Sequence, residues 1–533
     1  MPNRIFGFLN RKLGSIQSFI KDRPDLYARE FIAHNRKVWR DYRFDRSQGE
    51  ILIEANRMGG CNVAMSYVAS YLGRMEKAEL VVYSKGVSRA YRAFYRSYAD
   101  AFHIYSADEH CEEVESLFAE VYPRIKTKRD LENLRVHGIL IGDLVYDSYI
   151  RRLDAISVDM AGQEFGAVLR EALGYLIHWR AYFASHSVKA VLISHGVFSW
   201  PGVIMRVAVS HSAPVYLVQM NRIYYVTNSH NGRPYNEYVD HPRHFAELSG
   251  EEQAKALAKA EEGVMRRLRG ERDVGAHHLL KPIYSPKTGQ RVLAESPRIK
   301  VLVATHCFSD DNHVYGNNLF PDFHEWLLFL GAISERTDYD WYLRLHPDRY
   351  PWETKHVEAL AEQYPRFRVL PSETSHNQIV EDGIGCVLTV YGTIGFEYAA
   401  LGVPVITASP WNPTVAYDFN IHPKTVEEYE RILMNLGDVK LNIDINKVYE
   451  YYYCHYIDGA DDWLYDDFSA VYGDLYARNA VSGSLGYRKF MDQFSDEKHA
   501  RILETVEKFV RSKDYCLRRV HFSRKEHEAR EPV

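Results

Sequence analysis

From residue 50 onward, short uninterrupted apolar runs alternate with amphipathic stretches. That alternation predicts strands buried on both faces and connected by helices, a parallel-sheet α/β arrangement. ILIEAN (51–56), ELVVYS (79–84), AVLISHG (190–196) and PVYLVQ (214–219) predict strands, and GILIGDLVYDSY (138–149) opens as another. Helices are predicted after Gly59-Gly60 through Ser70-Tyr71, over 164–186 and over 199–210. A second series starts at Arg298. IKVLVATH (299–306), WYLRLHP (341–347), FRVL (367–370), CVLTVYG (386–392) and VPVITA (403–408) predict strands, with helices over 322–335, 353–364, 375–382, 393–402 and 425–436.

Residues 250–272 are helical and densely charged, and 273–297 are rich in Gly, Pro, Ser and Lys, the composition of a connection. The expected organisation is an N-terminal arm (1–48), a first Rossmann-like domain (49–272), a linker (273–297), a second Rossmann-like domain (298–440) and a helical C-terminal region (441–533). In open sheets of this kind a ligand lies beyond the carboxyl ends of the strands, here in the cleft between the domains.

The arm has its own pattern. Ile5, Leu9, Leu13, Ile16 and Ile20 fall on one helical face, flanked by Arg4, Arg11, Lys12, Lys21 and Arg23. A basic amphipathic helix of this kind either lies on an anionic membrane surface or docks on the protein's own body. The first reading gives a peripheral inner-membrane contact through residues 1–23.

Composition narrows the classes. Of 533 residues 46% are hydrophobic, too many for a disordered chain, and a net charge of −5 argues against a polycation that coats nucleic acid. No run approaches 18 apolar residues, and the N-terminus lacks the continuous apolar core of a secretory signal. The six cysteines form no C-x-x-C pair, which fits a reducing, cytoplasmic setting and removes zinc-ribbon and thioredoxin readings. The 39 tyrosines suit surface packing as well as stacking on sugars.

Candidate chemistry sits at predicted strand ends. In Thr389–Val405 a buried strand meets a turn at Tyr391-Gly392, and a helix starts near Thr393. Gly392 allows close backbone approach, Thr393 can cap the helix and bind phosphate oxygens, and Glu397 shares that helical face. Arg344 and His346 stand at the end of another strand, where Pro347 holds His346 extended. His306, Asn312 and His313 follow the first strand of the second series. The pairs Asp310-Asp311, Asp461-Asp462 and Asp466-Asp467 have the makeup of acidic turns rather than of a metal site. On the first domain, Asp143, Asp147, His195 and Glu54 are candidates for the base that a transferase with inversion needs.

HCFSDDNHVYGNNLFPDFHEWL (306–327), LRLHPD (343–348) and TVYGTIGFEYAALGVPVI (389–406) resemble the bacterial capsule and surface-polysaccharide glycosyltransferases, including the Kdo transferases of capsule assembly. GILIGDLVYDSYIRR (138–152) also looks family-like. The resemblance implies a GT-B fold with the nucleotide-sugar donor held mainly by the second domain and a glycan or lipid-linked glycan as acceptor. It implies that His346, Gly392 and Thr393 hold the donor phosphate and Glu397 the ribose, with no cofactor and no catalytic metal. One departure is Arg344-Leu345, where the family commonly has a lysine before His-Pro. A nucleotide-sugar 2-epimerase, a teichoic-acid-type polyol-phosphate transferase and a non-catalytic carbohydrate-binding scaffold are the competing readings.

Overall fold

Ile51 and Ile53 enter one core while Leu52, between them, enters another, so the strand Glu50–Glu54 (β1) is apolar on both faces because both faces are covered. The computed structural model describes residues 24–39, 46–227, 234–271, 291–347, 349–371 and 374–522. The expected helix over residues 5–20 lies outside them.

The first sheet contains β1, Glu79–Ser84 (β2), Ala101–Ile104 (β3), Val188–Ile193 (β6), Val215–Val218 (β7) and Ile223–Val226 (β8), in the order β3-β2-β1-β6-β7-β8. All neighbours are parallel except β7 and β8. A two-residue hairpin, Arg135–Val136 (β4) with Ile139–Leu140 (β5), stands apart. The segment 138–149, expected to open as a strand, is mainly the helix Gly142–Leu153. Gly142 lies so close to Leu131 that a Cβ would fall 1.6 Å from its carbonyl oxygen, so tight packing on the preceding turn sets where that helix begins.

The second sheet contains Lys300–Ala304 (β9), Asp340–Arg344 (β10), Phe367–Val369 (β11), Cys386–Thr389 (β12) and Val405–Thr407 (β13). Its order is β11-β10-β9-β12-β13, with every pair parallel. Here too the alternation is clean: Val301 and Val303 enter one core, Leu302 and Ala304 the other. Each side chain fully removed from water contributes about 1.5–3 kcal/mol. The chain therefore carries two Rossmann-like α/β units.

Two segments pack across the expected boundaries. The charged helix Gly250–Leu268 buries Ala260, Val264 and Leu268 against Phe396, Phe419, Val448 and Tyr452, in the second unit. The C-terminal region divides: Ile445–Tyr452 stays with the second unit, while Trp463, Phe468, Phe490, Val506 and Phe509 return to the core of the first sheet beside Phe31 and Ile51. No described helix is long and apolar enough to cross a membrane.

Candidate active site

Parallel pairing puts the carboxyl ends of β1 and β6 on one edge of the first sheet, and those of β9, β10 and β12 on one edge of the second. A chain of contacts joins these edges. Tyr235 hydrogen-bonds the backbone of Gly196, just past β6, and accepts from Gln219 Nε2 at 3.5 Å. Asp311 and Tyr315, on the loop after β9, lie close enough to Tyr235 to raise its phenol through their charge. Tyr391 Oη, just past β12, donates to the Asp311 carbonyl at 2.8 Å, and its ring meets Tyr315 at 5.3 Å. The loop 305–321 thus links the two sheet edges.

His195 keeps its predicted position at the rim. Ser194 N and Oγ both donate to Glu54 Oε2, at 2.6 and 2.7 Å. With the Ser194 hydroxyl hydrogen committed to Glu54, the 3.0 Å contact between His195 Nδ1 and Ser194 Oγ is made by Nδ1–H. Nε2 is then the lone-pair nitrogen of a half-buried ring. Burial lowers the His195 pKa, so the ring is neutral, and burial raises that of Glu54 against the two Ser194 hydrogen bonds. Two residues past Gly196, Phe198 has φ 65° and ψ 157°, a conformation almost confined to glycine. Backbone strain of about 1–3 kcal/mol is thus concentrated beside His195.

Asp143 and Asp147, expected as bases, are otherwise engaged. Arg206 grips Asp143 through Nη1 and Nη2, at 2.5 and 2.7 Å, with both side chains buried. Asp147 Oδ1 lies 2.7 Å from His313 Nδ1, and its Oδ2 accepts the His313 backbone N–H at 3.1 Å. Glu132 Oε1 meets His313 Nε2 at 2.9 Å. Fully buried between these carboxylates, His313 is pushed up to about 10 and is an imidazolium at neutral pH. Both aspartates face inward from the helix Gly142–Leu153 because they fasten the fold, Asp147 across the two units. Arg129 donations to the carbonyls of Asn318 and Leu319 and a 2.5 Å Tyr146–Asp322 hydrogen bond strengthen the same interface.

On the second sheet, His306 Nε2 accepts from Val390 N at 3.1 Å and lies 3.1 Å from Thr389 Oγ1. The proton is therefore on Nδ1. Burial, reinforced by the nearby His346, pushes this histidine down to about 3, so it is a neutral donor stacked on Phe323 at 4.5 Å. His346 is half-buried, with its backbone N–H on Thr305 Oγ1 at 3.2 Å. A Cβ at Gly392 would stand 3.0 Å from Thr389 Oγ1 and 3.7 Å from His306 Cε1, so this position stays open only as glycine.

Four other predicted contacts change. Thr393 is exposed and makes no capping hydrogen bond, because it already has helical φ and ψ. Glu397 is buried in an ion pair with Arg267 Nη1 at 3.1 Å, which occupies the carboxylate expected to meet a ribose. Arg344 is buried, with Nη1 directed to the Pro371 carbonyl at 3.4 Å and its charge beside Tyr398 and His376. Asn312 is buried too, its Nδ2 donating to the Asp310 carbonyl at 3.2 Å and its backbone carbonyl accepting from Asn318 Nδ2 at 2.6 Å, so it shapes the loop.

Asp311 is the residue that the sequence reading passed over. Its half-buried carboxyl group accepts no hydrogen bond among the described residues, although its backbone carbonyl does. Burial and then the charges of Asp310 and Asp147 raise it well above the usual carboxylate range, with Arg151 opposing. The signal available was the Asp310-Asp311 pair itself at a strand end.

No family model matches the chain, and no curated protein matches it. Among solved structures it is similar to a glycosyltransferase from Rickettsia africae, at 12% identity and TM-score 0.25, covering 87% of this chain and 99% of that one. It is also similar to the UDP-GlcNAc 2-epimerase of Neisseria meningitidis bound to UDP-GlcNAc, at 10% identity and TM-score 0.23, covering 75% and 97%. A third is an Anabaena protein in complex with UDP and glucose, at 9% identity and TM-score 0.23, covering 84% and 98%. Likeness this distant assigns no activity to the chain, and its fold rests on its own strand order.

Proposed function

We propose that the chain is a GT-B-type glycosyltransferase that moves a sugar from a nucleotide-sugar donor to a growing surface glycan of the capsular or lipopolysaccharide type. The observation that carries this reading is the raised carboxyl of Asp311, on the loop that meets Tyr235 beside Gly196 at one sheet edge and Tyr391 beside Gly392 at the other. Asp311 takes the acceptor hydroxyl proton, since a carboxylate with a raised pKa is a stronger base than an ordinary one. His195 Nε2 accepts a second hydroxyl hydrogen and orients the acceptor. The deprotonated oxygen attacks the anomeric carbon as the bond to the nucleotide phosphate breaks. Charge on the leaving phosphate is met by His306 Nδ1–H and by His346. These are all protein donors, so the reading includes turnover without added divalent metal. The acceptor is lipid-linked or glycan, met at the cytoplasmic face of the membrane, with residues 1–23 as the expected contact.

The test is product analysis with UDP-, CMP-, GDP- and CDP-linked sugars, with and without a glycan acceptor. Nucleotide release that depends on acceptor supports the reading. Conversion of the free donor without acceptor would favour an epimerase, and no response to any nucleotide sugar would remove the donor site.

A further inference from the structure

Away from the cleft, at the β3 edge of the first sheet, three histidines and a glutamate converge. Glu109 and His110 belong to the single turn Ala107–His110 that follows β3, and His178 projects from the long helix Gln163–Ser185. One ligand atom from each of Glu109, His110 and His178 lies within 4.8 Å of the others. Glu109 Oε2 is 3.2 Å from His178 Nδ1. We propose that Glu109, His110 and His178 bind a divalent transition-metal ion of the zinc type, with His103 as the group that orients His178.

The geometry behind the ligands supports this assignment. His178 Nε2 lies 2.8 Å from His103 Nε2. A contact between two imidazole nitrogens requires one hydrogen and one lone pair. With the metal on Nδ1, His178 carries its hydrogen on Nε2 and donates it to His103, the arrangement that fixes the tautomer of a ligating histidine. His178 is held between the rings of Tyr105 and Trp179, both at 5.0 Å, and His103 rests on Tyr182 at 4.6 Å. Glu109 is about half exposed, which opens the site to solvent. Glu113 Oε2, 3.4 Å from His110 Nδ1, adds a second carboxylate at the rim.

Two imidazoles and one carboxylate suit zinc, cobalt or nickel, whereas calcium and magnesium favour all-oxygen sets. Water completes the shell. The bound ion ties the turn after an edge strand to the helix that covers the sheet. This assignment does not depend on the transferase reading, because none of its ligands lies in the cleft.

The full chain, stripped with a chelator and dialysed, is titrated with zinc sulfate by calorimetry, and cobalt is loaded as an optical probe. The expected result is one zinc per chain, with cobalt bands of four- or five-coordinate character. Glu109→Gln and His110→Ala change partly exposed positions, so the fold persists, and each should weaken zinc binding by about tenfold or more. His103→Ala should weaken it by about tenfold through loss of the orienting contact. Absence of saturable binding, or binding equal to wild type in both Glu109→Gln and His110→Ala, overturns the proposal.

Discussion

His313 Nδ1 stands 2.7 Å from Asp147 Oδ1, joining a loop of the second α/β unit to a helix of the first. Glu132 closes the other side of the ring. Replacing His313 with alanine would leave the buried Asp147 without its cation and Glu132 with Arg129 alone. Losing one partner of a buried pair costs about 3–5 kcal/mol. Urea unfolding of His313→Ala should show a loss of that order, and a loss under 1 kcal/mol would mean that the clamp is incidental.

The same cation sets a pH dependence. The folded His313 is raised to about 10, above the ordinary histidine value of about 6.5. Its contribution is therefore complete below about pH 6.5 and is lost as pH rises through about 10. Thermal melts of the wild type should fall between pH 7 and 10 more steeply than those of His313→Gln. Parallel curves would contradict the charged clamp.

Asp143 and Asp147, expected as bases, stand four residues apart on one helix, each held by a partner distant in sequence. Asp143→Asn should lower stability by about 3–5 kcal/mol by stranding Arg206, while the folded fraction keeps its turnover rate per molecule. Stability is read by denaturant titration, and turnover at a temperature where the variant is folded. A selective loss of kcat with normal stability would return Asp143 to the site.

Gly392→Ala places a methyl 3.0 Å from Thr389 Oγ1 and 3.7 Å from His306 Cε1. The crowding falls on Thr389 Oγ1, whose shift disturbs its 3.1 Å contact with His306 Nε2 and narrows the approach of the donor. KM for the nucleotide sugar should rise several-fold while KM for the acceptor changes little, measured by steady-state kinetics with each substrate varied in turn. Equal effects on both would place the donor elsewhere.

Much of the architecture was legible because buried strands are short apolar runs: β1, β2, β6, β7, β9, β10, β12 and β13 all stand out. β3 did not, because Ala101–Ile104 is a four-residue, partly exposed edge strand, and β8 was hidden as a short antiparallel addition. The placement of His195 and His306 at strand ends followed from the alternation alone. The fate of Asp143, Asp147 and Glu397 did not, since Arg206, His313 and Arg267 lie 63, 166 and 130 residues away along the chain. Partners this distant leave no local signal. Asp311 was legible only as half of an acidic pair, because what distinguishes it is that its carboxyl accepts no hydrogen bond among the described residues.

The most direct test of the cleft assignment is Asp311→Asn, followed by kcat and unfolding temperature side by side. As a base, Asp311 accounts for about 10²–10⁴-fold in rate. The half-buried Asp311 carboxyl accepts no hydrogen bond among the described residues, so its neutral amide should leave the unfolding temperature unchanged or raised. The wild-type rate should climb with pH through a raised carboxyl pKa, and that limb should vanish in the variant. Turnover within a few-fold of wild type, with the acid limb intact, would contradict the account.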